Sequence, residues 1–101
     1  MSASHEDYSG WVPALHQGIN FYHDNLLDRW VVSGINRIVF LNHSSYEVLK
    51  RCDGKTDLGT ICDELCDSGI FQQATVHDNV LNIIQDFDIN GYICNLINNH
   101  A

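Results

Sequence analysis

The segment RWVVSGINRIVFL, residues 29–41, contains two runs of strand-forming residues around a short break. The runs, Arg29 to Ser33 and Arg37 to Leu41, are rich in β-branched and aromatic side chains, whereas Gly34-Ile35-Asn36 interrupts the apolar pattern. Such runs favour β-strands, and a short connection containing Gly and Asn favours an antiparallel hairpin. We therefore predict two neighbouring strands at these positions.

A third strand is expected immediately before this hairpin. Ile19, Phe21 and Tyr22 lie within the stretch from Gly18 to Asp24 and are strand formers. The following Asp24-Asn25 pair provides side chains that stabilise turns. Together the three runs predict a three-stranded antiparallel meander with short connections.

Two helices are predicted after the meander. Ser44 stands three residues before Glu47, which is the spacing of a capping box, and Cys52-Asp53-Gly54 should end this first helix. Asp57 is a plausible N-cap of the second helix, which should end at Gly69. Both helices have apolar positions at helical spacing: Tyr46, Val48 and Leu49 in the first, and Leu58, Ile61, Cys62 and Leu65 in the second.

The longest predicted helix begins near Thr75, which stands three residues before Asp78 and so repeats the capping pattern. Gly91 is expected just beyond its end, where a left-handed conformation is common. One apolar stripe runs along this third helix: Val76, Val80, Ile83, Ile84 and Phe87.

The order βββααα predicts an α+β, winged-helix-like domain, in which a three-stranded antiparallel sheet is followed by three helices. We expect the domain to span residues 11–97, after a polar, mobile tail at 1–10 and before a short tail at 98–101. Tyr92-Ile93 is expected to return toward the sheet.

The overall charge argues against nucleic acid as a partner. With 13 acidic and 5 basic residues the net charge is -8, which repels phosphate backbones. No window has the ~18 apolar residues of a membrane span, and no secretion signal is evident, so we expect no membrane association and a cytosolic protein. Four cysteines in such a chain are expected to be free thiols.

Several spaced landmarks between Pro13 and Ile93 resemble the PqqD family of pyrroloquinoline quinone biosynthesis. They are Pro13-x-Leu15-x-x-Gly18, Asp24, Arg29-Trp30-Val31, Leu41-Asn42, Val48-Leu49-x-x-Cys52-Asp53-Gly54, Ile61 and Gly91. The landmarks stand in the family's order over about four-fifths of the chain, and the Arg-Trp-Val and Cys-Asp-Gly pieces are the most specific.

This resemblance implies a non-catalytic module without a cofactor, which binds the leader of a ribosomally made precursor peptide and presents it to a radical S-adenosylmethionine enzyme. The third helix departs from the family pattern, because it is rich in Asn and Asp and its end at residues 88–91 lacks the expected arginines and leucines. The pathway therefore stays open between quinone cofactor synthesis and another peptide modification served by a stand-alone recognition element.

A strand edge beside a helix is the kind of site that binds an extended peptide. If the third strand lies at the sheet edge, its backbone would pair with the leader. Alternation places Ile38 and Phe40 on one face and Val39 and Leu41 on the other, and the sequence does not say which pair lines the groove. The predicted site comprises Arg37, Ile38, Val39, Phe40 and Leu41 on the strand and Leu81, Ile84, Gln85 and Asp88 on the third helix.

Other residues have both a functional and a purely structural interpretation. Arg29 and Trp30 could dock a modifying enzyme, since Arg and Trp are favoured at interfaces, or Trp30 could pack in the core. Cys62 and Cys66 are four residues apart and could hold zinc with a histidine. The spacing is not Cys-x-x-Cys and the six histidines are dispersed, so we expect no metal site and interpret these thiols as small buried hydrophobes.

The main competing function is a DNA-binding winged helix, because the same element order could place the third helix in a major groove. Residues 75–90 contain Asp78, Asp86 and Asp88 but no Lys or Arg. Groove insertion requires cations for phosphates and donors for bases, so the sequence disfavours this function. A second competitor, an enzyme or metal-thiolate protein, would require the cysteines to act as nucleophiles or ligands.

Overall fold

The computed structural model describes Tyr8, residues 10–34 and residues 37–96. It contains five strands and three helices in these ranges: β1 (Pro13–Leu15), β2 (Asn20–Asp24), β3 (Arg29–Gly34), β4 (Arg37–Leu41), α1 (His43–Leu49), α2 (Leu58–Asp67), α3 (Val76–Ile89) and β5 (Ile93–Asn95). The meander followed by three helices confirms the predicted α+β order.

The main sheet has the order β2-β3-β4, and both neighbouring pairs are antiparallel. Phe21 on β2, Val32 on β3 and Val39 on β4 form one cross-strand row on the face that packs against the helices. Because successive side chains on a strand point to opposite faces, this row fixes which residues of each strand face the core.

A second, two-stranded sheet joins the two ends of the described domain. β1 pairs with β5 antiparallel, with Pro13 opposite Asn95 and Leu15 opposite Ile93. The chain after α3 therefore returns to β1 and not to the three-stranded sheet, which corrects the expectation for Tyr92-Ile93. The contact is non-local, about 80 residues along the chain, and a local sequence pattern does not report such a pairing.

The core lies between the main sheet and the helices. The apolar stripe of α3 is largely buried, with Val80 and Ile84 at 0% exposure, and α2 contributes Ile61 and Leu65, which are also at 0%. Removing such side chains from water contributes about 1.5–3 kcal/mol each, so the helical stripes account for much of the stability.

The helix starts agree with the sequence only in part. The carboxylate of Asp57 accepts a hydrogen bond from the backbone N–H of Thr60 at 2.9 Å, which confirms the cap of α2. For α1 the cap is Asn42, whose side chain accepts from the N–H of Ser45 at 2.8 Å, so the predicted capping box at Ser44 is wrong. The helix begins earlier because Asn42 is itself a strong N-cap residue.

Thr75 does occupy the N-cap position of α3, but its side chain makes no capping hydrogen bond. Its hydroxyl instead donates to the carbonyl of Gln72 at 3.5 Å and accepts from the side chain of Asn79 at 3.3 Å. The position of the helix start was thus predicted correctly, whereas its hydrogen bonding was not.

The turn at Asp53-Gly54 has a structural role. The Asp53 carboxylate accepts hydrogen bonds from the backbone N–H groups of Lys55 and Thr56 at 2.8 and 2.9 Å, and these bonds lower the pKa of Asp53. Gly54 has φ +78, and a Cβ there would lie 2.8 Å from a side-chain carbon of Leu96. Both the backbone conformation and the close approach therefore favour glycine.

Tyr8 falls within the segment expected to be a tail, but it is 6% exposed and packs edge-on against the ring of Trp11 with their centroids 4.8 Å apart. Tyr8 is therefore part of the packed domain. The other residues of the expected tail apart from Gly10, and the expected C-terminal tail at 98–101, lie outside the described residues, and the domain limits 11–97 stay a prediction.

Candidate functional site

Strand β4 forms one edge of the main sheet. It pairs with β3 on one side, and within the described residues no other strand pairs with it. All five strand residues of the predicted site, Arg37 to Leu41, lie on this edge. An edge strand presents a row of backbone N–H and C=O groups that another extended chain can join.

The two faces of β4 differ in exposure. Val39 and Leu41 face the core, where Leu41 is buried and Val39 packs against the core cluster. Ile38 and Phe40 point to the other face and are 63% and 45% exposed. Val39 and Leu41 are therefore the core pair, and the pair that lines a groove for the leader stays a prediction.

The backbone register of β4 identifies which groups point outward. Gly34 and Arg37 are paired across a two-residue connection, and the pair that closes such a hairpin is hydrogen-bonded. Hydrogen-bonded pairs alternate along an antiparallel ladder, so Val39 bonds to β3. The N–H and C=O groups of Ile38 and Phe40 therefore point away from β3, toward the open edge.

Helix α3 contacts β4 through its C-terminal end. Arg37 Nη1 donates a hydrogen bond to Asn90 Oδ1 at 2.6 Å. Asn90 is the C-cap of α3, and Ile83 lies within about 20° of it around the helix axis. The C-terminal end of α3 therefore approaches β4 at Asn90, and we call the flank of the helix that bears Ile83 and Asn90 the Asn90 flank.

The helix residues of the predicted site lie elsewhere on α3. Leu81 is about 180° from Asn90 around the helix, and Gln85 and Asp88 are about 140° and 160° away. Asp88 instead accepts a hydrogen bond from the hydroxyl of Tyr8 at 2.8 Å. The structure thus does not bring Leu81, Gln85 and Asp88 together with β4.

Ile84, the remaining predicted helix residue, is 0% exposed and belongs to the core cluster. It has no surface to offer a partner, so its assignment to the groove is corrected. The sequence spacing predicted the position of the helix, but it did not predict how the helix is rotated about its axis relative to the sheet. Asn90 was missed, although its position seven residues after Ile83 places both on one flank.

The outer face of the main sheet carries an exposed aromatic cluster. Tyr22, Val31 and Phe40 form one cross-strand row on this face, and Val31 is buried between two exposed rings. The guanidinium of Arg29 lies over the Phe40 ring, 5.2 Å from its centroid. Arg29 thus extends across the sheet from β3 to the edge strand, a contact that the sequence did not predict.

Trp30 lies on the opposite face of β3 from Arg29. Its ring stacks on Tyr46 with a centroid distance of 4.6 Å, and it also contacts the rings of Phe21 and His23 at 5.3 and 5.1 Å. Trp30 is thus half-buried against the core. Because Arg29 and Trp30 face opposite ways, they do not form one flat surface, and their role in docking an enzyme stays a prediction.

The cysteines of α2 show no arrangement for chemistry in the described ranges. Burial raises the pKa of Cys62 to about 11, which keeps its thiol protonated at neutral pH. Cys62, Cys66 and His77 line an open cavity of about 500 Å³, but among the described residues no group of three metal-ligating side chains is placed to hold a metal ion. None of the helices within the described ranges is long and apolar enough to cross a membrane.

The chain is similar to one family of known proteins. The family model described as Coenzyme PQQ synthesis protein D (PqqD) matches residues 27–93. A relative named PqqA binding protein from Rhodopseudomonas palustris (strain BisB5) is 26% identical over 81 residues, which are 80% of this chain and 79% of that protein. A PqqA binding protein from Xanthomonas oryzae pv. oryzae (strain KACC10331 / KXO85) is 38% identical over 53 residues, which are 52% of this chain and 58% of that protein.

The fold is also similar to a solved structure. The solution NMR structure of the PqqD truncation of Methylobacterium extorquens PqqCD, described as a functional and stand-alone recognition element for ribosomally synthesised and post-translationally modified peptides, superposes with a TM-score of 0.66. The sequences are 20% identical, and the match covers 81% of this chain and 87% of that one. At this identity the match shows a shared fold.

Proposed function

The chain belongs to the PqqD family, and we propose from this premise that it is a non-catalytic carrier that binds the leader of a ribosomally made precursor peptide. The observation that carries the proposal is the open edge of β4, whose outward backbone groups belong to Ile38 and Phe40. Relatives named PqqA binding protein support the peptide as the ligand, and the related NMR structure is described as a recognition element.

In the proposed complex the leader adds a fourth strand beside β4. Its backbone pairs with Ile38 and Phe40, and alternate side chains lie on the core face beside Val39, toward the Asn90 flank of α3. Of the residues proposed from sequence, Arg37 to Leu41 are retained, whereas Leu81, Gln85 and Asp88 are replaced by Ile83 and Asn90.

The expected affinity is micromolar. About four backbone hydrogen bonds at ~1 kcal/mol each and two or three buried side chains at ~2 kcal/mol each give a gross gain of about 8–10 kcal/mol. Ordering a flexible leader offsets part of this gain. The net gain is therefore at most about 8 kcal/mol, which corresponds to a dissociation constant of about 1 μM or somewhat weaker and suits a carrier that must release its cargo.

We further propose that the bound leader is presented in the cytosol to a radical S-adenosylmethionine enzyme. Arg29 and Trp30 are the residues proposed to contact that enzyme. The pathway is either the synthesis of pyrroloquinoline quinone or another peptide modification. Titrating the leader complex with a purified radical S-adenosylmethionine enzyme of the same pathway tests this step, because a ternary complex should elute earlier from a size-exclusion column.

Calorimetry with a synthetic PqqA leader, the ligand that the relatives' name indicates, tests the central proposal. A dissociation constant in the micromolar range is expected, and amide NMR shifts should change most at residues 37–41. A scrambled leader of the same composition is the control. If the dissociation constant of the leader is about 1 mM or higher, which corresponds to a binding free energy of only ~4 kcal/mol, the proposed function is wrong.

The DNA-binding alternative has no support from the charges of α3. Its residues include Asp78, Asp86 and Asp88 and no Lys or Arg. Phosphate contacts require Lys or Arg, and each neutralised phosphate contributes to a steep salt dependence. We expect no retardation of duplex DNA at low salt, and salt-sensitive retardation by the purified protein would favour the alternative.

A further inference from the structure

We propose that the peptide that pairs with β4 carries two carboxylates three residues apart, with two apolar residues between them. This inference rests on the proposed function and specifies the chemistry of its ligand. The positions that carry it are Arg37, Ile38, Val39 and Phe40 of the edge strand, together with Arg29, whose guanidinium lies over Phe40.

The β4 edge carries two cations of an acidic protein. The chain has a net charge of -8 and 5 basic residues, two of which, Arg29 and Arg37, lie at this edge. Lys50 and Arg51, by contrast, are paired with Glu47 at 3.4 and 2.7 Å. Across the described ranges, neither Arg29 nor Arg37 takes part in an ion pair, so their charges are available to an incoming carboxylate.

The acidic side chain opposite Arg29 makes no ion pair with it among the described residues. Its cross-strand partner is Asp24, but the Asp24 carboxylate oxygen Oδ1 accepts the backbone N–H groups of Leu26 and Leu27 at 2.9 and 3.0 Å. Asp24 therefore closes the β2–β3 turn. Arg37 uses Nη1 for Asn90, and a guanidinium has five N–H donors, so donors remain for a carboxylate.

Strand geometry sets the spacing of the two carboxylates. Arg37 starts β4 and shares the core face with Val39, whereas the Arg29 guanidinium lies above Phe40 on the outer face. Peptide residues opposite positions 37 and 40 are three apart, about 10 Å along a strand, and their side chains point to opposite faces. A carboxylate opposite position 37 would therefore meet the Arg37 guanidinium on the core face. A carboxylate opposite position 40 would meet the Arg29 guanidinium on the outer face.

The two residues between the carboxylates should be apolar. The one opposite Ile38 would share the outer face with an isoleucine that is 63% exposed. The one opposite Val39 would share the core face, toward the Asn90 flank of α3. The resulting pattern of acid, apolar, apolar, acid reads the same in both directions, so it fits a parallel or an antiparallel added strand.

Fluorescence anisotropy with synthetic peptides tests the inference. The probe is a labelled ten-residue Ser/Thr peptide with a central Glu-Val-Val-Glu, and the comparisons are Gln-Val-Val-Gln and Glu-Val-Glu-Val in the same host. We expect the first to bind at least tenfold more tightly than the other two. Substituting Arg29→Gln or Arg37→Gln should weaken Glu-Val-Val-Glu about threefold to fivefold each and leave Gln-Val-Val-Gln unchanged.

Lys55→Gln is the matched control, because Lys55 is an exposed cation in the turn between α1 and α2, away from β4. The Lys55→Gln variant should bind each of the three peptides with the affinity of the wild type. The preference should also shrink in 0.5 M salt. Equal binding of the Glu and Gln peptides, unchanged binding by both arginine variants, or no binding of Glu-Val-Val-Glu at 1 mM would overturn the inference. Binding of the natural leader at residues 37–41 alongside any of these results would leave the proposed function intact.

Discussion

Replacing Ile38 with proline removes one outward backbone donor from the open edge of β4. Because the register places the N–H of Ile38 away from β3, the substitution takes no hydrogen bond from the sheet, and an edge strand tolerates proline at such a position. The domain should therefore stay folded, with a change of less than about 1 kcal/mol in the free energy of unfolding.

Binding of the leader should respond much more strongly. The variant loses one peptide hydrogen bond and leaves a leader carbonyl without a partner, at a total cost of about 1–3 kcal/mol. The dissociation constant should rise about fivefold to 150-fold. Isothermal titration calorimetry measures the affinity, and urea denaturation measures the stability of the same preparation.

Two variants control for other effects. Ile38→Ala keeps the N–H and removes most of the side chain, so the difference between the alanine and proline variants isolates the backbone donor. Val39→Pro removes a donor that bonds to β3, so it should lower the stability more than Ile38→Pro does. If Ile38→Pro binds the leader as tightly as Ile38→Ala, or if Val39→Pro is the better tolerated of the two, the assigned register is refuted.

Three further predictions concern stability and thiol chemistry. Ile84→Ala should lower the free energy of unfolding in urea by about 2–5 kcal/mol, whereas Ile89→Ala, at a position 73% exposed, should change it by less than about 0.5 kcal/mol; similar losses would contradict the core assignment. Asn42→Ala should cost about 1 kcal/mol in thermal unfolding and Ser44→Ala much less, and the reverse order would restore Ser44 as the cap. Burial raises the pKa of the Cys62 thiol to about 11, so its contribution to stability is complete below the ordinary thiol pKa near 9 and is lost as the pH rises toward 11. Because the thiol stays protonated, iodoacetamide should alkylate Cys62 only slowly at pH 7.5, and rapid alkylation of the folded protein would contradict this assignment.

The helical and strand segments were predictable because their signals are local. The strand at residues 37–41 and the start of α2 at Asp57 are where the sequence places them, since β-branched runs and cap residues act within a few positions of the chain. The Ser44 error has the same origin. Asn42 and Ser44 are both good cap residues, and the choice between them depends on where β4 ends.

The pairing of β1 with β5 was not predictable from sequence patterns. Pro13–Leu15 is too short for a clear period, and its partner Ile93–Asn95 lies at the other end of the described domain. Tyr8 was missed for a similar reason. Its burial depends on contacts with Trp11 and Asp88, and the polar composition around it gives no sign of them.

The sequence by itself determined the three strands of the main sheet, the three helices, the acidic charge, the family and the strand proposed for the candidate site, because each depends on residue identity and short-range spacing. Only the tertiary structure decided which face of β4 is buried, that Arg29 reaches Phe40, and that α3 turns Asn90 rather than Leu81 toward Arg37. A periodic pattern defines the apolar stripe of a helix, but the two flanks of that stripe are equivalent until packing against a sheet distinguishes them.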